Sequence, residues 1–375
     1  MKSNYEPLGK HIQLVDYRNS EEVTSTVLGI SIDKEFMPSV ANVIGTDLSR
    51  YKLISKGLFA CNPMHVGRDE RLPIALYEKD SPAIVSPAYF MFEIIDRDVL
   101  NEEYLMMWFR RPEFDRECWF MTDGSVRGGI TWDDLCRIKL PVPSYARQCE
   151  IVESYRAITD RIALKRAEND NLAAALSSMY KEFFTVGTPE NLPAHWKIAP
   201  FSDIADVIMG QSPEGDDCNN AGCGDPLLNG PTEFGFYSPT PVQWTTNGKK
   251  YCVAGDLLFC VRGSTTGRMN WANQSYAIGR GLAAIRHKKD SNFNWFIKAM
   301  VDNSLNDILA AATGSTFPNI GKELLNGFYV IIPDETSLQK YGPQGYAIFR
   351  MITDNAKEID SLYALKKTLL FKLTT

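Results

Sequence analysis

One short string in the first half of the sequence comes close to a catalytic motif. It reads Asn62-Pro63-Met64-His65. Adenine methyltransferases grip a flipped base with an Asn or Asp that is followed by two prolines and an aromatic residue, and here the second proline and the aromatic residue are missing. No glycine-rich strand-to-helix turn lies upstream to hold S-adenosylmethionine. The sequence therefore does not indicate that this chain transfers methyl groups itself.

Other enzyme classes are disfavoured in the same way. The glycine-flanked string from Gly263 to Arg268 lacks the spacing and the lysine of a phosphate-binding P-loop, and it is better interpreted as a polar loop suited to DNA phosphates. Four histidines are present, but no G-x-S-x-G string places a nucleophile. Asp216 and Asp217 are adjacent in a glycine-rich stretch, so they need not point at one Mg²⁺ ion. We predict that the chain contains no catalytic residues.

The cysteines do not indicate a metal site either. Eight are present, and none of them belongs to a C-x-x-C pair. Cys218 and Cys223 are the closest two, but no second pair follows at the spacing that zinc sites use. In a large cytosolic chain such thiols are expected to stay reduced and to pack in the interior. We therefore predict no metal site.

The composition is typical of a folded cytoplasmic protein. A chain of 375 residues is long enough for two ordinary domains, and a hydrophobic fraction of 44% allows each a core of its own. No run of about 18 apolar residues predicts a membrane span. The first residues lack the apolar core of a signal peptide. We expect a cytoplasmic location and no contact with a membrane.

Charge is segregated along the chain. The net charge is −6, which is unusual for a protein that binds nucleic acid. The stretch from Thr245 to Lys289, however, has eight basic residues and one acid, a net charge of +7, whereas the stretch from Glu190 to Trp244 has eight acids and one lysine. The distribution of charge matters more than its sum for an electrostatic partner. The basic stretch favours a polyanionic partner, and the alternative is an ordinary solvated surface.

The sequence contains a long internal repeat. Gly124-Ser125 recurs as Gly314-Ser315, Leu140-Pro141 as Ile332-Pro333, and Ile158-Thr159-Asp160 as Ile352-Thr353-Asp354. Pro7-Leu8-Gly9 and Pro200-Phe201-Ser202 occupy similar contexts. These landmarks agree on a period of about half the chain, and fixed-period similarity indicates repeated structural units. Each half is predicted to form a globular unit of mixed strands and helices, with helices at 102–109 and 294–312 and a strand at 256–261.

Each half then ends in a segment with a heptad seam. Apolar residues recur in steps of four and three after Pro143 and again towards the C-terminus. The seam positions are Ile151, Tyr155, Ile158, Ile162, Asn169, Leu172 and Leu176 in the first segment and Ile352, Asn355, Ile359, Leu362 and Leu369 in the second. One helix cannot bury such a seam alone. We predict an antiparallel coiled coil whose register is fixed by Asn169 and Asn355. The alternative is two ordinary surface helices.

The repeat, the two helices and several local strings resemble the specificity subunit of Type I restriction-modification enzymes. In the second half the similar strings are 208–213, 255–258, 261–263, 278–285 and 314–317; in the first half they are 62–68 and 125–129, followed by the junction at 140–150. The second junction departs from this pattern. It reads Ile332-Pro333-Asp334-Glu335 without a second proline, and Tyr341-Gly342-Pro343 interrupts it before the final helix.

The resemblance implies an α+β protein with two mixed α/β target-recognition domains in a pseudo-twofold repeat, joined by the antiparallel coiled coil. The implied parts are target-recognition domain 1 (1–143), the central helix (144–187), target-recognition domain 2 (188–335) and the C-terminal helix (336–375). Each domain would read one half of a split target in double-stranded DNA. About 36 residues of helix span roughly 55 Å, while B-DNA advances about 34 Å per turn, so the helices would suit two half-sites separated by an unread gap.

The resemblance also implies the partners. The helices would dock two modification subunits, which bind S-adenosylmethionine and methylate adenine. Restriction subunits with motor and nuclease activity would use ATP and Mg²⁺. No cofactor is therefore expected in this chain. Phage proteins that mimic DNA are a further expected class of ligand.

The residues expected to contact DNA are polar or basic side chains in the loops of both domains. Phosphates attract Lys, Arg, Ser and Thr, and base edges favour Arg, Asn, Gln and Lys. The candidates are Asn62, His65, Arg68, Arg71, Ser125 and Arg127 in the first domain and Gln211, Ser212, Thr246, Asn247, Lys249, Lys250, Arg262, Ser264, Thr265, Arg268 and Arg280 in the second. For each residue the alternative is a surface group or a structural ion pair. Arg280 could equally lie against a carboxylate inside the fold.

Two other functions remain open from the sequence. The chain could be an adaptor whose domains bind proteins and whose seams join outside partners. It could also be a fused methyltransferase or nuclease. A steep loss of binding with added salt would indicate phosphate contact and argue against the adaptor, and added S-adenosylmethionine or Mg²⁺ would reveal an enzyme.

Overall fold

The structure is a computed structural model that describes residues 5–40, 45–64, 66–122, 128–186, 191–313 and 318–373. The chain divides into two compact units. Unit 1 comprises Met1–Ile162 and Ser361–Thr375, and unit 2 comprises Ala163–Asp360. Each of the two long helices therefore contributes one part to each unit. No described helix combines the length and the apolar character needed to cross a bilayer.

Unit 1 holds the first strands and helices of the chain. Its strands are β1 (Tyr5–Pro7), β2 (Ile12–Leu14), β3 (Val27–Ile30), β4 (Phe36–Pro38), β5 (Lys52–Ile54), β6 (Phe59–Cys61), β7 (Ile74–Leu76), β8 (Ala83–Val85), β9 (Phe90–Ile94) and β10 (Lys139–Pro141). Its helices are α1 (Val66–Asp69), α2 (Glu102–Phe109), α3 (Pro112–Phe120), α4 (Trp132–Arg137) and the first part of α5 (Tyr145–Phe184). The predicted helix at 102–109 is confirmed.

Local sequence explains where the helices of unit 1 begin. The Asn101 side chain accepts hydrogen bonds from the backbone N–H groups of Glu103 and Tyr104, which satisfies two otherwise unpaired donors at the start of α2. Thr131 and Asp134 form a reciprocal capping box at the start of α4. These caps fix the ends of helices that pack against the strands.

Unit 2 holds the remaining elements. Its strands are β11 (Lys197–Pro200), β12 (Ala205–Met209), β13 (Cys218–Asn219), β14 (Asp225–Leu228), β15 (Gln243–Thr245), β16 (Tyr251–Cys252), β17 (Leu257–Cys260), β18 (Met269–Trp271), β19 (Tyr276–Ile278), β20 (Leu282–His287) and β21 (Tyr329–Ile332). Its helices are α6 (Asn294–Ala310), α7 (Lys322–Gly327), most of α8 (Glu335–Lys372) and the second part of α5. The predicted helix at 294–312 and the strand at 256–261 are confirmed.

The two units repeat one strand topology. Unit 1 has an antiparallel sheet in the order β2-β9-β6-β7, and unit 2 has one in the order β12-β20-β17-β18. A second sheet in the order β4-β3-β8-β5 corresponds to β15-β14-β19-β16, to which unit 2 adds β13. In both second sheets the central pair is parallel, β3 with β8 and β14 with β19. The predicted repeat of two mixed units is confirmed.

The strand register corrects the alignment of the two halves. Tyr5 lies opposite Pro141 in unit 1, and Ile198 lies opposite Ile331 in unit 2. Helices α4 and α7 begin 190 positions apart, as Pro141 and Ile331 are, so the offset at the C-terminal end of each half is 190 and the counterpart of Pro143 is Pro333. The second junction does have one proline fewer than the first, but the missing proline is the counterpart of Pro141, where Ile331 stands. By the same offset Ile352 corresponds to Ile162 and not to Ile158, a shift of one helical turn that preserves the buried face.

The string Tyr341-Gly342-Pro343 does not interrupt the final helix, contrary to the sequence-based expectation. Helix α8 runs through Pro343. Proline removes a backbone hydrogen bond, but close packing holds the helix here. A Cβ at Gly342 would lie 2.2 Å from a ring atom of Phe293, and one at Gly345 would lie 2.2 Å from Trp295. The two glycines thus let α8 lie directly on these rings.

In unit 2, α5 and α8 pair in antiparallel orientation. Lys165 donates to Asn355 Oδ1 at 2.8 Å, and Asn169 donates to the carbonyl of Ile352 at 3.1 Å. Further along, the rings of Phe183 and Tyr341 stack at 4.1 Å. Residue numbers rise on α5 as they fall on α8, which confirms the predicted orientation of the coiled coil.

The seam positions are covered as predicted. Tyr155, Ile162, Asn169, Leu176, Ile352, Asn355 and Ile359 are buried, and Ile151, Ile158, Leu172, Leu362 and Leu369 are half-buried. In unit 1, Lys366 lies over the ring of Tyr155 at 4.8 Å. Leu373 belongs to the same apolar cluster as Val152 and the strands of unit 1. The seam is thus continuous with the core of each unit.

A buried ion pair in unit 1 yields a prediction about stability. Lys34 Nζ lies 2.7 Å from Asp115 Oδ1 and 2.7 Å from the carbonyl of Leu72, and the Lys34 side chain is 4% exposed. Asp115→Asn would leave a buried ammonium without its counter-charge. We expect a loss of about 3–5 kcal/mol in the free energy of unfolding, measured by urea denaturation. Asp80→Asn, which breaks the exposed pair with Lys56, should change the free energy of unfolding very little, because water and salt screen an exposed ion pair. Equal losses of stability in the two variants would contradict the conclusion that the Lys34–Asp115 pair is buried.

The polar pair in the seam yields a second prediction. Asn355 donates to Asn169 Oδ1 at 2.9 Å, and both side chains are buried. Asn169→Ala should cost about 1–3 kcal/mol because it leaves a buried N–H unpaired. Replacing both residues by Leu removes the donor and the acceptor together, so this variant should regain stability. Thermal unfolding of the three proteins checks this. A double variant less stable than Asn169→Ala would show that the pair does not act as a unit.

Candidate nucleic-acid interface

The parallel strands of unit 2 end side by side. Leu227 lies opposite Ala277, and Leu228 lies opposite Ile278. The chain beyond each strand therefore emerges at the same end of the sheet, where Gly279 N donates to the carbonyl of Leu228 at 2.8 Å. This places Asn229 beside the string Gly279-Arg280-Gly281.

Three more segments meet at this point. Gln211 N donates to the carbonyl of Ile278 at 2.9 Å, and Ile278 N donates to the carbonyl of Lys250 at 2.9 Å. Val261 N donates to the carbonyl of Gly281 at 2.9 Å. We call the surface formed by the segments around Gln211, Asn229, Lys250, Arg262 and Arg280 the Arg280 edge. It brings together candidate residues that are up to 69 positions apart in the sequence.

Two glycines permit this close approach. A Cβ at Gly210 would lie 2.1 Å from the carbonyl oxygen of Gly279, and a Cβ at Gly281 would lie 2.4 Å from the carbonyl oxygen of Asn229. Backbone atoms cannot move aside as a flexible side chain can, so both positions require glycine. The close backbone approach therefore explains why glycine occurs at positions 210 and 281 of the strings 208–213 and 278–285.

The turn between β17 and β18 adds polar groups to the Arg280 edge. Gly263 and Gly267 have φ values of +90° and +91°, which favour glycine. Thr266 donates to the carbonyl of Gly263 at 2.7 Å, and Arg268 N donates to the carbonyl of Thr265 at 3.1 Å. Within this closed turn Arg262, Ser264 and Arg268 remain exposed and Thr265 is half-buried.

The cations of the Arg280 edge are exposed. Within the described ranges, no carboxylate forms an ion pair with Lys249, Lys250, Arg262, Arg268 or Arg280, and all five side chains are exposed. The alternative that Arg280 lies against a carboxylate inside the fold is therefore wrong for the part of the chain described. Ser212 lies beside Arg280, because Arg280 N donates to Ser212 Oγ at 3.3 Å.

The basic stretch from Thr245 to Lys289 is not one surface. Arg286 lies 2.5 Å from Asp256, which is 1% exposed. Burial raises the pKa of Asp256, and the hydrogen bond from Val253 N and the charge of Arg286 oppose this rise. Lys288 and Lys289 follow β20, at the end opposite to Arg280. Only part of the positive charge of this stretch therefore lies on the Arg280 edge.

Thr246 and Asn247 do not belong to the Arg280 edge. Thr245 lies opposite Asp225, at the other end of β14 from Asn229. Thr246 N donates to the carbonyl of Asp217 at 3.0 Å, and the Asn247 side chain donates to the Asp217 carboxylate at 2.8 Å. These contacts engage both residues with an acidic loop, which makes them weaker candidates for phosphate contact.

Unit 1 repeats part of the arrangement. The loop after β6 lies against the segment after residue 127, because Ile130 N donates to the carbonyl of Pro63 at 3.2 Å. In unit 2, Ile320 N donates to the carbonyl of Val261 at the equivalent place. The half-buried Asn62 accepts from Met64 N at 3.1 Å and so stabilises the loop. His65, Ser125 and Arg127 lie outside the described residues.

The two remaining candidates of unit 1 already have partners. Arg68 donates to Asp69 at 2.6 and 2.9 Å, and Arg71 donates to Asp33 at 3.1 Å. The Asp69 carboxylate raises the pKa of Arg68. Both arginines are exposed, and exposed ion pairs are weak enough to be exchanged for a phosphate. They nevertheless offer less free positive charge than the arginines of the Arg280 edge.

Asn229 and Gln243 are part of the Arg280 edge although sequence reasoning missed them. The Asn229 side chain donates to Gln243 Oε1 at 2.7 Å. The weak signal available in the sequence was that Asn229 follows the strand-like run Pro226-Leu227-Leu228 and precedes glycine and proline, a typical strand end. Nothing local linked it to Gln243, which comes 14 positions later.

Two further features of the described residues concern metal ligands and thiols. In them no group of three or more His, Cys, Asp or Glu side chains could hold a metal ion. Burial raises the pKa of Cys61 to about 12 and that of Cys252 to about 11, so these thiols are un-ionised at neutral pH. What the Arg280 edge presents is a group of exposed donors.

Comparison with known proteins adds relatives over the whole length. No protein-family model matches the sequence. A candidate type I restriction enzyme MjaX specificity subunit of Methanocaldococcus jannaschii is 24% identical over 388 residues, which cover 100% of this chain and 88% of that protein. The type I restriction enzyme MjaIX specificity subunit of the same organism is 21% identical over 301 residues, covering 75% and 70% of the two chains.

A solved structure shares the fold. The S subunit of a Type-I restriction-modification system from M. genitalium aligns over 99% of this chain and 96% of its own, with a TM-score of 0.55 at 13% identity. The α+β fold class predicted from the sequence is confirmed. The family resemblance indicated by the strings and the repeat is confirmed as well.

The close approach at Gly210 can be tested by stability. Gly210→Ala would drive a methyl group into the backbone of Gly279, and such overpacking typically costs about 1–3 kcal/mol. Gly215→Ala is the matched control, because nothing lies within 4 Å of a Cβ there; it should change the free energy of unfolding by less than about 0.5 kcal/mol. Urea denaturation of the two variants checks this. A Gly210→Ala protein as stable as the control would contradict the described approach of the two segments.

Proposed function

We propose that this chain, related over its whole length to the specificity subunits of Type I restriction-modification enzymes, is the DNA-reading subunit of such a complex. Units 1 and 2 each read one half of a split target in double-stranded DNA. The chain has no catalytic centre of its own. S-adenosylmethionine, ATP and Mg²⁺ bind to partner subunits, which carry out methylation and cleavage.

The observation that carries this proposal is the full-length relationship combined with the internal repeat. The MjaX relative aligns with 100% of this chain, so both halves are included. Each half supplies its own pair of sheets with the same strand order. A chain with two copies of one unit suits two readings of DNA better than it suits one active site.

Electrostatics supports contact with phosphate. Exposed arginine and lysine side chains without ion partners release counterions when they meet a phosphate backbone. For the part of the chain that the structure describes, the Arg280 edge supplies five such cations, whereas Arg68 and Arg71 of unit 1 must first give up their carboxylates. Because this footprint is modest, the modification subunits would contribute much of the phosphate contact, and unit 1 would depend on them most.

The helices support the spacing role. Helix α5 has 40 residues and α8 has 38, which correspond to lengths of about 60 Å at 1.5 Å per residue. One turn of B-DNA spans about 34 Å. We therefore propose that the paired helices set a fixed gap between the two half-sites. Exposed apolar residues on α8, among them Leu365 and Phe371, are candidates for docking two modification subunits.

The remaining partners follow from the same family. Restriction subunits with motor and nuclease activity would join the complex through the modification subunits. Phage proteins that mimic DNA would compete for the same cations. None of the relatives found supports that last expectation, which stays a prediction.

The competing function is a protein adaptor that does not read DNA. The two differ in their response to salt. Each phosphate contact adds about 0.9 to the slope of the logarithm of the binding constant against the logarithm of salt concentration. A complex that bound nucleic acid with no salt dependence would favour the adaptor.

The direct experiment is co-expression with a cognate modification subunit and mapping of the methylated adenines in random DNA. We expect a split motif with two defined parts and an undefined gap. Exchange of residues 1–140 for another recognition domain should change one part and leave the other intact. An assembled complex that methylates nothing, or a single continuous motif, would contradict the proposal.

A further inference from the structure

Two side-chain amides adjoin at the Arg280 edge. Asn229 follows β14, and Gln243 begins β15, the antiparallel neighbour of β14. Asn229 Nδ2 donates to Gln243 Oε1 at 2.7 Å. Asn229 is exposed and Gln243 half-buried. An amide pair on a surface gains little stability by itself, because water can satisfy the same groups.

The position of Asn229 is constrained from behind. A Cβ at Gly279 would lie 2.4 Å from Asn229 Oδ1 and 3.1 Å from its Cα, and a Cβ at Gly281 would lie 2.4 Å from its carbonyl oxygen. Asn229 therefore packs directly against the backbone of the segment from Gly279 to Gly281. Such packing limits its rotamers, so Asn229 presents Nδ2 to Gln243 in a fixed direction.

This contact determines how the Gln243 amide is oriented. A glutamine amide has one acceptor oxygen with two lone pairs and two N–H donors. Because Oε1 accepts from Asn229, the oxygen and not the nitrogen must face that residue. Among the described residues, no other side chain bonds to the Gln243 amide. Both N–H groups and one lone pair therefore remain for a ligand, in one plane.

A coplanar donor and acceptor match one base edge in particular. Adenine presents N7 as an acceptor and N6 as a donor in the major groove, and Asn or Gln side chains bind this edge with two hydrogen bonds. Guanine presents two acceptors there, which suits Arg or Lys instead. Arg280, exposed on the neighbouring segment and without an ion partner in the described ranges, is placed to bind a phosphate or an adjacent guanine.

We propose that Gln243 reads the adenine of one A·T pair in the half-site of unit 2, and that Asn229 is a positioning residue that orients its amide. This inference rests on the proposed function and deepens it, since it names the base that the Arg280 edge prefers at one position. Gly279 and Gly281 act through Asn229 and do not touch the ligand.

The test maps methylated adenines for the complex assembled with the modification subunit. Gln243→Ala should abolish the preference for A·T at one position of one half-site and keep every other position. In the wild-type complex, a G·C pair at that position should lower the methylation rate roughly tenfold. Gln243→Glu keeps the size of the side chain but removes its donors, so it should favour cytosine at this position or lose the site altogether.

Asn229→Ala separates positioning from contact. It should weaken the preference at the same position and at no other, because Gln243 remains but its amide is free to turn. The matched control is Gln274→Ala, an exposed glutamine just before β19, at the opposite end of that strand; its motif should equal that of the wild type.

Two results would overturn the inference. If the wild-type motif is split but the Gln243 and Asn229 variants leave it unchanged, unit 2 reads DNA by other groups and the proposed function stands. If the wild-type complex produces no split motif, the proposed function fails and this inference falls with it. A poorly folded Gln243→Ala protein does not decide the matter, because the isosteric Gln243→Glu variant gives an independent readout.

Discussion

A helix with a single apolar seam must bury that seam against a partner, and much of this fold depends on that requirement. In unit 2, Leu176 and Phe184 of α5 lie in the same apolar cluster as Phe349 and Ile352 of α8 and the strands around them. In unit 1, Val152 and Tyr155 share a cluster with Leu373. The helices are therefore parts of the two cores, and they cannot be removed without exposing those cores.

The polar residues in the seam determine the register in which α5 and α8 pair. Lys165, Asn355 and Asn169 form a chain of hydrogen bonds that ends at the carbonyl of Ile352. A different register would separate these partners and leave buried polar groups unpaired, at a cost in free energy. Apolar residues provide most of the stabilisation, while this chain of bonds selects one register.

At the Arg280 edge, too, a few close contacts determine the local geometry. Short strands end together because β14 and β19 are parallel, and glycine at 210, 279 and 281 lets the following segments touch. Polar side chains from separate parts of the sequence thus reach one surface. Loops that carry binding residues on a rigid sheet are a common solution, since a fixed frame lowers the entropy lost on binding.

Sequence reasoning predicted the repeat, the seam and the helix orientation because each depends on a periodic pattern. It aligned the second junction with the first at an offset of 192 and not 190, since short strings match equally well at either offset and only strand pairing distinguishes them. Gly342 and Pro343 indicated a break in the final helix. The helix continues because it packs against Phe293 and Trp295, a tertiary contact that the local sequence does not reveal. At the candidate site, sequence spacing identified Arg262, Arg268 and Arg280 but could not reveal that Arg286 is paired with Asp256. Asn229 and Gln243 were missed because only the fold brings them together.

We propose that the Arg280 edge, and not the other end of the same strands, faces DNA. Arg280 and Lys288 are both exposed and flank β20, one before it and one after it. A photo-crosslinking amino acid at either position, in the complex assembled with the modification subunit, tests the claim directly. We expect crosslinks to target DNA from position 280 and none above background from position 288. Crosslinks from position 288 alone would show that DNA lies at the opposite end of unit 2 and would contradict the account.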